Sequence, residues 1–256
     1  MTPVLAFDIE TVPDVAGIRR LHGLPADLPD REVAEVAFQR RRTQTGSDFL
    51  PPQLQRVVVI SCVLREAEGI KVFSLDGSEK EMIQRFYDGI EKYVPQLVSW
   101  NGGGFDLPVL NYRGLVHGVS APMFWETGDE NRDFRFNNYV SRYHSRHTDL
   151  MDVLAMYQPR NNAPLDDVAQ LAGLPGKIGV GGAKVWEAYL AGEIEGIRDY
   201  CEADTANTYL LYLRYQLLRG ILSADQFRKE IQVLRKYLKD QDKPHWREFL
   251  KLWDDS

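Results

Sequence analysis

Asp8 and Glu10 stand two residues apart at the end of a short apolar run, Val4 to Ile9. In an extended strand that spacing sends both carboxylates to one face. Hard divalent cations such as Mg²⁺ and Mn²⁺ take carboxylate oxygens. Two of them held about 3.5–4 Å apart stabilise both the attacking and the leaving oxygen of a phosphoryl transfer. An isolated D-x-E is common at a solvated loop edge, so the pair gains weight only in company. Asp106 follows Asn101-Gly102-Gly103-Gly104-Phe105, which places a carboxylate at a helix start where the dipole tolerates it. The glycines would let a ligand approach the backbone closely, and Phe105 would stack on a base. Tyr200 and Asp204 are four apart in a helical stretch and share a face.

The elements that must carry these groups are legible as well. Val4 to Ile9 reads as a buried strand with its acids at the exit, and Arg56 to Leu64 as a central strand with Ile70 to Leu75 as hairpin partner. Ser78 and Glu81 form a capping box opening a helix to about Tyr93. Leu97 to Trp100 is a short strand, Leu107 to Val116 a helix, and Ser120 to Arg146 a polar, aromatic-rich loop region. Thr148 to Leu154 returns to the core, Leu165 to Leu171 is a short helix, and Gly176 to Gly182 is a glycine-rich loop. Ile194 to Leu218 reads as a long amphipathic helix, followed by a helical tail from Ser223 with Trp246, Phe249, Leu250 and Trp253 as docking residues. Residues about 12–55 hold several prolines and arginines and read as an insertion with short helices. Together these predict an α/β fold with a mixed sheet and a helical C-terminal tail: a domain over 1–220 and an extension over 221–256 packed on it.

Composition narrows the function classes. The chain has 256 residues, 44% of them apolar and 27% charged, enough for one ordinary core. No apolar run is long enough for a membrane span and the start lacks a signal peptide's pattern, so a soluble, cytoplasmic protein with no membrane partner is expected. A net charge of -6 argues against coating long nucleic acid but leaves short strand ends open. Cys62 and Cys201 are too few for a disulfide framework and read as structural thiols.

The motifs Ala6-Phe7-Asp8-Ile9-Glu10-Thr11, Asn101 to Asp106 and Tyr200-Cys201-Glu202-Ala203-Asp204 resemble, in order, the three motifs of the tyrosine-bearing DEDD exonucleases. They look most like the proofreading domain of family B DNA polymerases, and the chain resembles stand-alone bacterial proteins of that type. The resemblance implies a ribonuclease H-like mixed five-stranded sheet flanked by helices. It also implies four metal-binding carboxylates, Asp8, Glu10, Asp106 and Asp204, with Tyr200 orienting the attacking water. The implied activity is a 3′–5′ exonuclease using two divalent ions, Mg²⁺ or Mn²⁺. It would release nucleoside 5′-monophosphates from single-stranded 3′ ends, DNA favoured over RNA, alongside a replication or repair partner. Thr11 would contact the terminal 3′ hydroxyl, Phe105 would wedge at the last base, and Asp149 would sit at the cleft edge. Asn101 reads as a loop former beside glycines. Lys177 and Lys184, in and after the glycine-rich loop, are candidate phosphate contacts, although the P-loop spacing is missing. His147 is no general base on this pattern, because the histidine-bearing subclass needs a histidine where Asp199 stands. The same acids would serve an exoribonuclease or an enzyme for short oligonucleotides. A catalytically silent ribonuclease H-like binding module is the alternative outside enzymes.

Overall fold

In a computed structural model, which describes residues 2–254 apart from Lys177 and Val180 and leaves the side chain of Ala183 aside, five strands form one mixed sheet. They are β1 (Val4–Pro13), β2 (Gln55–Glu66), β3 (Gly69–Ser74), β4 (Gln96–Ser99) and β5 (His147–Asp149), in the order β3-β2-β1-β4-β5. β1 is antiparallel to β2, β2 to β3, while β4 runs parallel to β1 and β5 parallel to β4. The middle of the sheet is therefore β1, with β2 one place nearer the edge than expected.

β1 also runs further than its apolar residues suggest. Glu10 pairs with Val59 and Thr11 with Val57, so Val58 bulges from β2 and pairing continues to Pro13. Asp8 and Glu10 thus lie within a paired strand and not at its exit. The cause is β2, whose β-branched run Val57 to Ile60 supplies partners beyond the last apolar residue of β1.

The alternation of β1 divides the core. Leu5, Phe7 and Ile9 pack beneath α3 (Glu79–Tyr93) and α4 (Asp106–His117), with Ile83, Phe86, Val109 and Leu110. Val4 and Ala6 face α9 (Ile194–Leu218), with Ala203, Ala206 and Leu210. Asp8 and Glu10 continue that second face. The reading of α9 as amphipathic is corrected: Tyr200 to Leu213 are buried without exception. The sheet covers one side, and α7 (Leu165–Leu171), α8 (Val185–Leu190), α10 (Ala224–Gln241) and α11 (Pro244–Asp254) cover the others. Leu234, Leu238, Trp246 and Phe249 of α10 and α11 join the α9 cluster, 1% exposed or less.

The residues between β1 and β2 fold into α1 (Val15–His22) and α2 (Asp30–Thr45) around Ile18, Val33, Ala37 and Leu50. α2 spans 16 residues, longer than the short helices expected of an insertion. The Ser78 capping box opens α3 as predicted, the Ser78 side chain accepting from the Glu81 N–H and the Glu81 carboxylate from the Ser78 N–H. Between α4 and β5 the chain is largely irregular, with α5 (Pro122–Trp125) its short helix; α6 (Leu150–Leu154) follows β5 directly.

Candidate active site

β4 pairs with only Val4 to Ala6 of β1, so beyond Ala6 that edge of β1 has no neighbouring strand. The chain leaves β4 through Asn101, which adopts a left-handed φ of 65°, and turns back into α4. Asp106 opens α4, and its Oδ1 accepts the Ile9 N–H at 3.2 Å, taking the hydrogen bond a sheet partner would have made. Two of the three glycines before it leave no room for a side chain. A Cβ on Gly102 would stand 2.5 Å from the Ser99 Cβ, and one on Gly104 would stand 2.4 Å from the Asn101 side-chain oxygen.

From the opposite side, α9 brings Tyr200, Cys201 and Asp204 under the Asp8–Glu10 face of β1. The cleft between them, about 520 Å³, is lined by Asp8, Glu10, Phe105, Asp106, Tyr200 and Asp204, with Trp100, Met151 and Asn162 at its walls. Four carboxylates from a strand and two helices thus converge. Asp8 is half-buried while Glu10, Asp106 and Asp204 are buried.

Burial raises the Asp8 carboxyl far above its usual range, and Asp106, Glu10 and Asp204 add to the rise. Asp106 is pushed up to about 7, chiefly by burial, although its own N–H and that of Ile9 pull it down. Tyr200 is pushed far up by burial and then by Asp204 and Glu10, so it stays a phenol, hydrogen-bonded to Asp204. The charges raising Asp8 are all negative, and the ligand atoms of Asp8, Glu10 and Cys201 lie within 4.8 Å of one another. A set of hard oxygens destabilised by mutual repulsion fits divalent cations.

Cys201 is the residue that sequence reasoning missed. Read as a structural thiol, it lies 3.5 Å from the Asp8 carbonyl oxygen and 3.5 Å from Asp8 Oδ2. Burial holds the thiol well above its ordinary pKa, so it donates its S–H to Asp8. Its position one residue after Tyr200 was the available signal. Phe49 is the second omission: its ring lies 5.2 Å from that of Phe105. Arg41 holds the Phe49 carbonyl at 3.1 Å and Arg42 pairs with Asp48 at 3.1 Å, so these arginines fasten the loop that carries it. Nothing local in the sequence links Phe49 to the cleft.

The other candidates occupy varied places. The Thr11 hydroxyl donates to Gln55 Oε1 at 3.0 Å. Asp149 accepts the Asn101 and Gly103 N–H groups, both at 2.9 Å, and so clamps the turn. Burial raises its carboxyl, against the pull of those two bonds. His147 lies buried, its Nε2 2.8 Å from the Ser99 hydroxyl, and burial lowers it to about 4, which keeps it neutral. Lys184 is exposed ahead of α8, and Lys177 lies outside the described residues. Gly179 and Gly182 lie beside the tyrosine: a Cβ on Gly182 would stand 3.8 Å from the Tyr200 hydroxyl, and one on Gly179 3.8 Å from the Tyr200 Cβ.

Residues 47–253 match the model of a family described as predicted 3′–5′ exonucleases related to the exonuclease domain of PolB. Asp106, Tyr200 and Asp204 fall inside the match; Asp8 and Glu10 precede it and reach the same cleft through the pairing of β1. The DNA polymerase epsilon catalytic subunit of Aspergillus fumigatus is 26% identical over 228 residues, covering 83% of this chain and 9% of that protein. A DNA polymerase of Archaeoglobus fulgidus is 26% identical over 189 residues, 72% of this chain and 23% of that one. The chain therefore spans under a quarter of either relative. The solved family B DNA polymerase from Pyrobaculum calidifontis aligns with a TM-score of 0.51 at 21% identity, over 85% of this chain and 25% of that one. The mixed sheet and flanking helices are thus the ribonuclease H-like fold the motifs implied. With the match running through most of its length and the fold in agreement, the chain belongs to the family of predicted 3′–5′ exonucleases related to the exonuclease domain of PolB.

Proposed function

We propose that this chain hydrolyses the terminal phosphodiester of single-stranded DNA from its 3′ end, releasing nucleoside 5′-monophosphates, with two Mg²⁺ or Mn²⁺ ions. The observation that carries this reading is the convergence of four carboxylates on one cleft, where Asp106, Glu10 and Asp204 each raise the Asp8 carboxyl. Asp8, Glu10, Asp106 and Asp204 would hold the ions. When bound, divalent cations supply the positive charge that activates a water and stabilises the leaving oxygen.

The chain's own groups do the rest. Tyr200, kept protonated, orients the incoming water through its Oη, with Asp204 fixing the phenol by a hydrogen bond. Cys201 holds the Asp8 carboxylate in place through its S–H. Phe105, backed by Phe49, presents an aromatic face to the last base. Thr11 and Asn101 border the terminal sugar, Asp149 holds the Asn101 turn, and Lys177 and Lys184 are the candidate phosphate contacts. In this reading residues 1–220 form the catalytic unit and 221–256 brace α9. The setting is the cytoplasm, next to replication or repair proteins that leave single-stranded 3′ ends.

The test uses 3′-labelled and 5′-labelled single-stranded DNA and RNA, with Mn²⁺, Mg²⁺ or EDTA. A metal-dependent ladder shortening from the 3′ end, faster on DNA, is expected. Cleavage confined to RNA would move the substrate to the exoribonuclease reading, and no cleavage of either would favour a silent binding module.

A further inference from the structure

The aromatic-rich stretch between α4 and β5 is not used by the acid cleft, yet it builds the wall of a second cavity beside it. This cavity, about 480 Å³, is lined by Asn111, Phe124, Trp125, Tyr139 and Arg142 among others. It shares Asn101 and Asn162 with the acid cleft, so the two join across the turn that leads to Asp106. We propose that this groove binds the nucleotides that precede the scissile one, with Trp125 as the stacking platform for an upstream base. The proposal rests on the exonuclease reading of the neighbouring cleft.

Four observations support it. A strand whose 3′ end lies among the acids must leave the cleft, and the shared Asn101–Asn162 border opens onto a groove of the size that takes small organic ligands. Trp125 is 56% exposed, with its ring edge-on to the buried Phe124 at 5.3 Å, so its position is fixed while much of its surface stays in water. Such rings bind bases of any sequence, because every base has a π face.

The acids of the groove already have partners. Arg142 grips both oxygens of Asp152 at 2.6 Å, and Asp149 is held by two backbone N–H groups at 2.9 Å. The wall therefore repels a phosphate backbone less than its composition suggests, and Arg160, exposed between the lining residues Pro159 and Asn162, stands ready to meet it. Beside Arg142 the ring of Tyr143, 71% exposed, packs on Tyr157 at 4.9 Å, and the Arg142 guanidinium covers Tyr157 at 5.4 Å. Finally, Met156 and Tyr157 hold left-handed φ values of 53° and 59°, an unfavourable backbone that persists only where the surroundings impose it.

The experiment compares wild type with Trp125→Ala and Trp125→Phe on two Mn²⁺-dependent substrates, a thymidine decamer and the p-nitrophenyl ester of thymidine 5′-monophosphate, which has no upstream nucleotide. Trp125→Ala is expected to raise KM on the decamer about tenfold more than on the ester, and Trp125→Phe to restore most of it. In EDTA, the decamer should quench the part of the tryptophan emission that Trp125→Ala removes. Equal losses on both substrates, or an unquenched Trp125, would overturn the proposal. If wild type turns over neither substrate, the exonuclease reading fails, and the emission measured in EDTA still decides whether the groove binds a single strand. Should Trp125→Ala not fold, Trp125→Leu, which keeps an apolar side chain but removes the stacking ring, takes its place in the KM comparison.

Discussion

Helix α9 carries two clusters of acids, and they are opposites. One face presents Tyr200 and Asp204 to Asp8, Glu10 and Asp106, where the surrounding carboxylates add to the burial that raises Asp8. The other presents Asp199 and Glu202 to the C-terminal segment. There His245 Nδ1 lies 2.9 Å from Asp199, His245 Nε2 lies 3.0 Å from Glu202, and Lys243 reaches Glu202 at 3.3 Å. Glu202, although buried, is held below the usual carboxylate range: His245, Lys243 and Ser74 outweigh the burial that opposes them. Both clusters could hold a metal by distance alone. The difference lies in who supplies the positive charge. The second cluster contains its own cation, Lys243, with both His245 ring nitrogens against its acids, and fastens α11 to α9; among the described residues the charges raising Asp8 in the first are carboxylates, which ions from outside would offset. Proximity of acids is thus a poor guide to chemistry until the neighbouring cations are identified. The two are also joined, since Glu202 accepts from Ser74, Ser74 meets Ser61 at 2.9 Å, and Ser61 bonds the Cys201 thiol that contacts Asp8.

The comparison predicts opposite responses to removing an acid. Asp8→Ala should lower nuclease turnover by about a thousandfold or more, yet raise the melting temperature of the metal-free chain by relieving repulsion. A fall in that melting temperature would break the contrast. Glu202→Ala should do the reverse, costing about 3–5 kcal/mol in urea unfolding because His245 and Lys243 lose a buried partner. A cost near zero would mean that the cluster is not a latch.

Protons sharpen the same contrast. Asp106 sits at about 7 in the folded chain against an ordinary aspartate value of 3.8, so between those values the folded state binds more protons than the unfolded. Metal-free stability should therefore fall as pH rises from about 4 to about 7 and flatten above, by up to about 4 kcal/mol from this group. Asp106→Asn should flatten that slope in urea titrations. Smallest per event is the effect of Mn²⁺, each bound ion adding about 3 kcal/mol at a hundred times its Kd. That increment should survive His245→Gln and vanish in Asp8→Ala.

How much of this was legible in the sequence depends on range. The bounds of α9 and the Ser78–Glu81 cap follow from local spacing, and so does the shared face of Asp8 with Glu10. The relatedness of the chain could be read from its three ordered motifs. Burial of α9 on every side was not legible, because its polar residues Thr205, Asn207 and Thr208 look like a solvated face until the neighbouring helices are in place. α8 escaped notice because it is short and follows a glycine-rich loop. The pairing of His245 with Glu202 and the tilted ring contact of Phe49 with Phe105 join residues far apart in the chain, with no pattern to announce them.

The most direct test of the central claim is a calorimetric Mn²⁺ titration of wild type, Asp8→Ala and His245→Gln. Two ions bound by wild type and His245→Gln, with binding lost in Asp8→Ala, is the expected result. Mn²⁺ binding that survives Asp8→Ala but disappears in His245→Gln would contradict it, placing the metal at the Asp199–Glu202–His245 cluster and not among the acids of the cleft.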